Sequence, residues 1–257
     1  MKKSVLFLGS KPIGYQCFKY LVENSSALNI ELKGLLTNDN RRFDSKLSLV
    51  DYANDHEIPI IDNLDDILDM GEVDLIISIQ FHLLLKQKHI DVARDIAINL
   101  HMAPLPEYRG CNQFSFAIFN QDQEFGTTIH KLEKSMDAGP ILAEKRFVIP
   151  ENCFVNELYE LTYDHSITLF KGQIGSIIEG KYKLTSQSER MEDRKCNTYF
   201  RKDIKLLKEL SLHMSTDEID RRLRATSMPG FKMPSITIKG NEYLLIPEHI
   251  YNVNDEK

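Results

Sequence analysis

A chain of 257 residues can bury a full core and hold one large domain plus an appendage. Its 27% charged and 42% hydrophobic residues are ordinary for a globular protein, and a formal net charge of −6 argues against a general polyanion binder. Cys17, Cys111, Cys153 and Cys196 stand far apart without a CxxC pair, which speaks against zinc and against a disulfide framework and for a reducing compartment. The apolar run after Met1-Lys2-Lys3 is too short for a signal peptide and stops at Gly9-Ser10-Lys11, so residues 5–9 read as a first buried strand. A helix carrying Tyr15, Phe18, Leu21 and Val22 inward follows. Gly9 and Gly14 supply two glycines of a dinucleotide fingerprint, and no acidic residue closes it. Residues 30–36 read as the second strand, 37–45 as a polar loop, 47–54 as a helix, 58–61 as a short strand and 64–70 as a short acidic helix. Residues 73–79 are apolar almost throughout, as a central parallel strand covered on both faces should be. The following Phe81, His82, Leu83, Leu84 and Leu85 read equally as the start of a buried helix or as a loop whose leucines form an apolar wall. His82 and His89 read as surface histidines without metal-like spacing.

The stretch from 96 to 139 holds the densest chemistry. Residues 96–101 end a buried strand on which Asn99 and His101 share one face while Leu100 takes the other. Pro104 and Pro106 forbid further regular pairing, and Tyr108-Arg109-Gly110 turns the chain. Residues 126–132 alternate like a strand, residues 140–149 return as its partner, and Asp137 sits on the loop between them. An Asn, a His and an Asp on neighbouring strand ends can hold a carbonyl, polarise it and manage protons. Asn-x-His is also a common pattern, and Asp before Ala-Gly is an ordinary turn former. Between the strand ending at His101 and the one starting at Gly126, residues 112–120 read as a helix capped by Asn112, with Phe114, Ala117 and Ile118 at core spacing. A long helix from Val155 ends at Gly180. This strand and helix alternation predicts an α/β fold with a doubly wound, mostly parallel sheet.

Past Leu184 the character shifts. Residues 186–208 carry Arg190, Arg194, Lys195, Arg201, Lys202, Lys205 and Lys208 beside Tyr199 and Phe200, and Arg221-Arg222-Leu223-Arg224 adds a second basic cluster. The run is either a solvated face or a diphosphate site. Ser215-Thr216-Asp217-Glu218 opens a short helix, and residues 235–246 form a hairpin turning at Gly240-Asn241, with Ile236, Ile238, Leu244 and Ile246 on one face. No stretch reaches the length of a membrane helix, so a cytoplasmic protein with no membrane partner is expected.

Asn99-Leu100-His101, Pro104-Leu105-Pro106, Tyr108-Arg109-Gly110, Gly126-Thr127-Thr128-Ile129-His130 and Asp137-Ala138-Gly139-Pro140-Ile141-Leu142 together resemble the signature of the N10-formyltetrahydrofolate-dependent formyltransferases. The wording from His101 to Asn112 is closest to the sugar N-formyltransferases of bacterial surface-glycan (O-antigen, lipopolysaccharide) pathways. The resemblance covers roughly the first 185 residues. It implies a Rossmann-like formyltransferase domain over 1–185, and a C-terminal helical and β-hairpin extension over 186–257 serving the substrate and a homodimer contact. It implies Asn99, His101 and Asp137 as catalytic residues, and the loop of Phe81, His82, Leu83, Leu84 and Leu85 as the wall for the pterin of N10-formyltetrahydrofolate. Arg109, Gly110, Tyr199, Arg201, Lys202 and Phe231 are the expected contacts to a dTDP-linked amino-dideoxy sugar. No metal and no nucleic acid are expected. Alternatives are a methionyl-tRNA or purine-pathway formyltransferase, and a folate- or nucleotide-binding module without turnover.

Overall fold

The computed structural model describes residues 1–38, 47–191 and 193–254. The polar loop expected at 37–45 therefore lies, from residue 39 on, outside the described residues. The strands are β1 (Lys3–Gly9), β2 (Ile30–Leu36), β3 (Ile60–Ile61), β4 (Val73–Ile79), β5 (Ala93–His101), β6 (Arg109–Gly110), β7 (Glu124–Lys131), β8 (Ile141–Val148), β9 (Thr198–Tyr199), β10 (Glu209–Leu210), β11 (Ser235–Ile238) and β12 (Asn241–Leu244). The helices are α1 (Lys11–Glu23), α2 (Leu49–Asp55), α3 (Gln87–Ile90), α4 (Gln113–Phe119), α5 (Val155–Ile178), α6 (Gln187–Arg190), α7 (Ile204–Lys208), α8 (Thr216–Thr226) and α9 (Glu248–Asn254). Leu64–Met70, expected as an acidic helix, is a 3-10 helix.

Period-two alternation sorts the strand side chains into two layers. Val5, Phe7, Leu75, Ile77, Ile96, Ile98 and Leu100 pack with Phe18 and Leu21 of α1 and Phe170 and Ile174 of α5. Leu6, Leu8, Ile76 and Ala97 pack on the opposite side with Ile67 and Ile90. The sheet order is β3-β2-β1-β4-β5-β7-β8. Its neighbours are parallel except at β7, which runs antiparallel to both β5 and β8. This is the expected doubly wound, mostly parallel sheet. The order reverses between β1 and β4, where Ser10 N–H donates to the carbonyl of Ile79 at 3.1 Å. Such open sheets put ligands at the carboxyl ends of their strands. Among the described residues no helix is long and apolar enough to cross a membrane.

Residues beyond α5 return to the sheet. A third cluster joins Ala117 and Ile118 of α4 to Phe125, Leu158 and Ala225 of α8. Ser215 caps α8 as expected, accepting from Glu218 N–H at 3.2 Å. The hairpin differs in register. Ile238 pairs with Asn241, so the turn is Lys239-Gly240, both with positive φ (49° and 81°). Ser235 then lies opposite Leu244, and Ile236 opposite Tyr243, which puts Leu244 on the other face from Ile236 and Ile238.

Other expectations change for local reasons. His89 is buried and not a surface residue: its Nδ1 accepts from Lys86 N–H at 3.1 Å, leaving Nε2 to donate to Asp65 Oδ1 at 2.7 Å. Asn112 is the N-cap of α4, its carbonyl accepting from Phe116 N–H at 3.1 Å, but its side chain makes no cap bond; at φ 60° the amide instead donates to the carbonyl of Phe200 at 3.0 Å. Arg190 and Arg194 are tied within the chain. Both bind Glu144 at 2.9 Å, which also takes Arg146, while Arg146 reaches on to Glu107.

Candidate active site

Antiparallel pairing of β5 with β7 puts Asn99 opposite His130 and His101 opposite Thr128. Opposed residues project to the same side of a sheet, so these four share one face at the end of β5. Two threonines fix the chain that follows. Thr127 Oγ1 donates to the carbonyl of His101 at 3.1 Å, and Thr128 Oγ1 to that of Ala103 at 2.9 Å. The Leu105–Pro106 peptide is cis. Tyr108 is buried, and its carbonyl lies 2.7 Å from His101 Nε2. A carbonyl only accepts, so Nε2 carries the proton and Nδ1 of neutral His101 is the basic atom.

Asp137 closes the group from the β7–β8 loop. It holds a φ of 49°, and a Cβ added at Gly139 would meet the carbonyl of Lys131 at 1.8 Å, so the turn requires glycine there. Its Oδ2 accepts from Gly110 N–H at 2.9 Å and lies 3.8 Å from His101 Nδ1; its Oδ1 lies 3.5 Å from His130 Nε2. Burial works to raise its pKa, but the charge of His101 in its protonated form and the Gly110 N–H hold it well below the usual carboxylate range.

His130 is the residue that sequence reasoning missed. Its Nδ1 lies 2.9 Å from the Lys131 carbonyl and so bears the proton, which makes Nε2 an acceptor. Asn99 Nδ2, 3.2 Å away, donates to it, and this fixes the amide orientation with one further N–H to give. The usable signal was that His130 shares the strand alternation of Thr128 in the same quoted block, but its partner strand is not written in the sequence.

The remaining expected contacts divide. Gly110 lies at the site, and at φ 89° a Cβ there would meet the carbonyl of Tyr199 at 2.2 Å. Arg109 is turned to Gln187 Oε1, which its Nε and Nη2 bond at 3.0 and 2.6 Å. Tyr199 comes from β9, which pairs with β6; its ring stacks on Phe116 at 4.1 Å and Tyr108 at 5.6 Å, so it braces the loop after His101. The exposed ring of that segment is Phe200. Arg201 and Lys202 are exposed, and so is Phe231 between α8 and β11. Residues 81–85 form a loop and not a helix. Leu83 and Leu84 are exposed, whereas Leu85 is buried in the core and cannot face a ligand.

Beside β5, where β7 has not yet joined it, lies a cleft of about 500 Å³ lined by Ile90, Ile96, Ala97, Leu132, Lys134 and Ser135 among others. It runs along β5 only from Ala93 to Ala97, with Asp91, Arg94, Asp95, Lys131 and Glu133 also on its wall, and Asn99, His101 and Asp137 do not line it. Among the described residues no group of three or more His, Cys, Asp or Glu could hold a metal ion.

Residues 50–170 match the formyl transferase family. That stretch is a formyl transferase domain. The chain is a formyl-transfer enzyme. It is similar to the methionyl-tRNA formyltransferase of Finegoldia magna, 23% identical over 270 residues that cover 100% of this chain and 84% of that protein. It is similar also to the GDP-perosamine N-formyltransferase of Brucella melitensis, 25% identical over 178 residues that cover 69% of this chain and 66% of that protein. The N-formyltransferase of Helicobacter canadensis, solved with folinic acid and dTDP-3-aminofucose, shares the fold with a TM-score of 0.76 at 23% identity, covering 93% of this chain and 85% of that one.

Proposed function

We propose that this formyltransferase moves the formyl group of N10-formyltetrahydrofolate to the amine of a dTDP-linked amino-dideoxy sugar, for a surface glycan. The observation that carries the reading is the meeting of the Asn99 amide, the His101 Nδ1 and the Asp137 carboxylate at the carboxyl end of β5. The exposed Leu83 and Leu84, on the loop that follows the carboxyl end of β4, are the apolar surface for the pterin. When bound, the formylated folate supplies an electrophilic carbon whose bond to N10 breaks as the new bond to the amine forms.

The residues divide the work. Asn99 gives its second amide N–H to the formyl oxygen as negative charge develops there. His101 Nδ1, 3.8 Å from Asp137 Oδ2, takes the proton the amine must lose and passes it to N10 as the bond from N10 to the formyl carbon breaks. His130 keeps the Asn99 amide turned the right way. Residues 1–185 carry this chemistry, and 186–257 carry the sugar-nucleotide contacts, with Arg201 and Lys202 for the diphosphate and Phe200 or Phe231 for the base. The apolar Ile238, Tyr243, Leu244 and Ile246 are each more than a third exposed on or just after the hairpin and support a homodimer contact. A monomer mass by light scattering would contradict that contact.

The sugar acceptor is favoured by the net charge of −6 and by the pairing of Arg190 and Arg194 with Glu144, which takes two cations out of the basic run at 186–208. A tRNA acceptor is the second reading, supported by the sequence likeness to methionyl-tRNA formyltransferases. Mass-spectrometric turnover of 3-amino and 4-amino nucleotide sugars against aminoacylated initiator tRNA separates the two.

A further inference from the structure

Gln187, the first residue of α6, is 3% exposed. Its Nε2 donates to the carbonyls of Asp137 and Gly139, both at 2.8 Å. Its Oε1 accepts from Nε and Nη2 of Arg109 at 3.0 and 2.6 Å. An amide side chain has two hydrogens to give and two lone pairs to offer, so these four bonds saturate it. Because carbonyls only accept and a guanidinium only donates, they also fix which way the amide points.

The two carbonyls belong to the turn that presents Asp137, and the guanidinium belongs to the residue before Gly110, whose N–H holds Asp137 Oδ2 at 2.9 Å. One buried side chain thus ties together the two loops that meet at the carboxylate. No other residue type repeats this. Glutamate lacks the donors, methionine lacks all four bonds, and asparagine is one methylene short.

We propose that Gln187 is a positioning residue for Asp137: it sets the carboxylate at its distances from His101 and His130, and the segment beyond residue 185 is thereby part of the reaction machinery. The inference deepens the formyl-transfer reading of the site and rests on it for its kinetic consequence.

The test compares Gln187→Met and Gln187→Glu with the intact chain. One readout is kinetic: kcat should fall about tenfold or more, as small misplacements of reacting groups do, while KM for both substrates stays within about twofold. The other needs no substrate. The Gly110 amide proton, which reports the Asp137 contact, should exchange at least about tenfold faster by NMR, with Ile77 in the central strand unchanged. A folded Gln187→Met with wild-type kcat and wild-type Gly110 exchange overturns the proposal. If neither variant folds, Arg109→Met, which frees Gln187 Oε1, must accelerate Gly110 exchange, and an unchanged rate overturns it. Should the wild type formylate no amine, the reaction reading fails, and Gly110 exchange still decides the positioning claim.

Discussion

Asn99 and His130 are cross-strand partners, and Nδ2 of the first lies 3.2 Å from Nε2 of the second. The imidazole acts on the reaction through the amide it orients. Asn99→Ala should therefore lower kcat by about 10²–10³-fold, the usual loss for one oxyanion donor. His130→Ala should cost less, and the double variant no more than Asn99→Ala alone, since both remove one unit. Additive losses in a double-mutant cycle would separate the two residues.

Asp137 links the site to acid stability. Its folded-state pKa is depressed, so its contribution is complete above the unfolded value near 4 and is lost as pH falls through the folded value. Urea midpoints should fall as pH drops below about 4 in the wild type. Asp137→Asn should lower the midpoint at neutral pH and flatten that acid decline. Parallel midpoint curves for the two proteins would show that the carboxylate is not held as described.

Two glycines should respond oppositely to alanine. Gly139 has the Lys131 carbonyl 1.8 Å from an added Cβ, so Gly139→Ala must displace the Asp137 turn and should cost about 1–3 kcal/mol or more together with activity. Gly172 lies inside α5 with nothing within 4 Å of an added Cβ, so Gly172→Ala should stabilise by about 0.5–1 kcal/mol. Thermal and urea melts of the two variants check the signs.

Arg201 and Lys202 are exposed and make no ion pair among the described residues, unlike Arg190 and Arg194, which Glu144 holds. Reversing both charges should raise KM for the nucleotide sugar by about tenfold per lost charge-assisted contact and leave KM for the folate unchanged. If neither constant moves, the pair is a solvated surface.

Local pattern carried much of this structure. Alternation in residues 96–101 placed Asn99 and His101 on one face because a strand's period is a property of its own backbone. The Asp137 loop and the end of α5 at Gly180 were legible for the same reason: turn residues act within a few positions. What was not legible came from partners distant in sequence. His130 depends on which strand pairs with β5, and Gln187 on a helix that returns fifty residues after Asp137. His89 looked superficial until Asp65 was found beside it, and the hairpin faces followed from a turn one residue earlier than expected. The basic run past Leu184 could not reveal that Glu144 and Glu107, more than forty residues upstream of it, neutralise its first arginines.

The central claim concerns the acceptor amine, and one measurement addresses it directly. The wild-type chain is incubated with N10-formyltetrahydrofolate and a panel of dTDP-linked 3-amino and 4-amino dideoxy sugars, and products are read by mass spectrometry beside Asp137→Asn. The account predicts a formylated nucleotide sugar from the wild type and essentially none from the variant. Formylation of methionyl-tRNA with no sugar product, or equal turnover by both proteins, would contradict it.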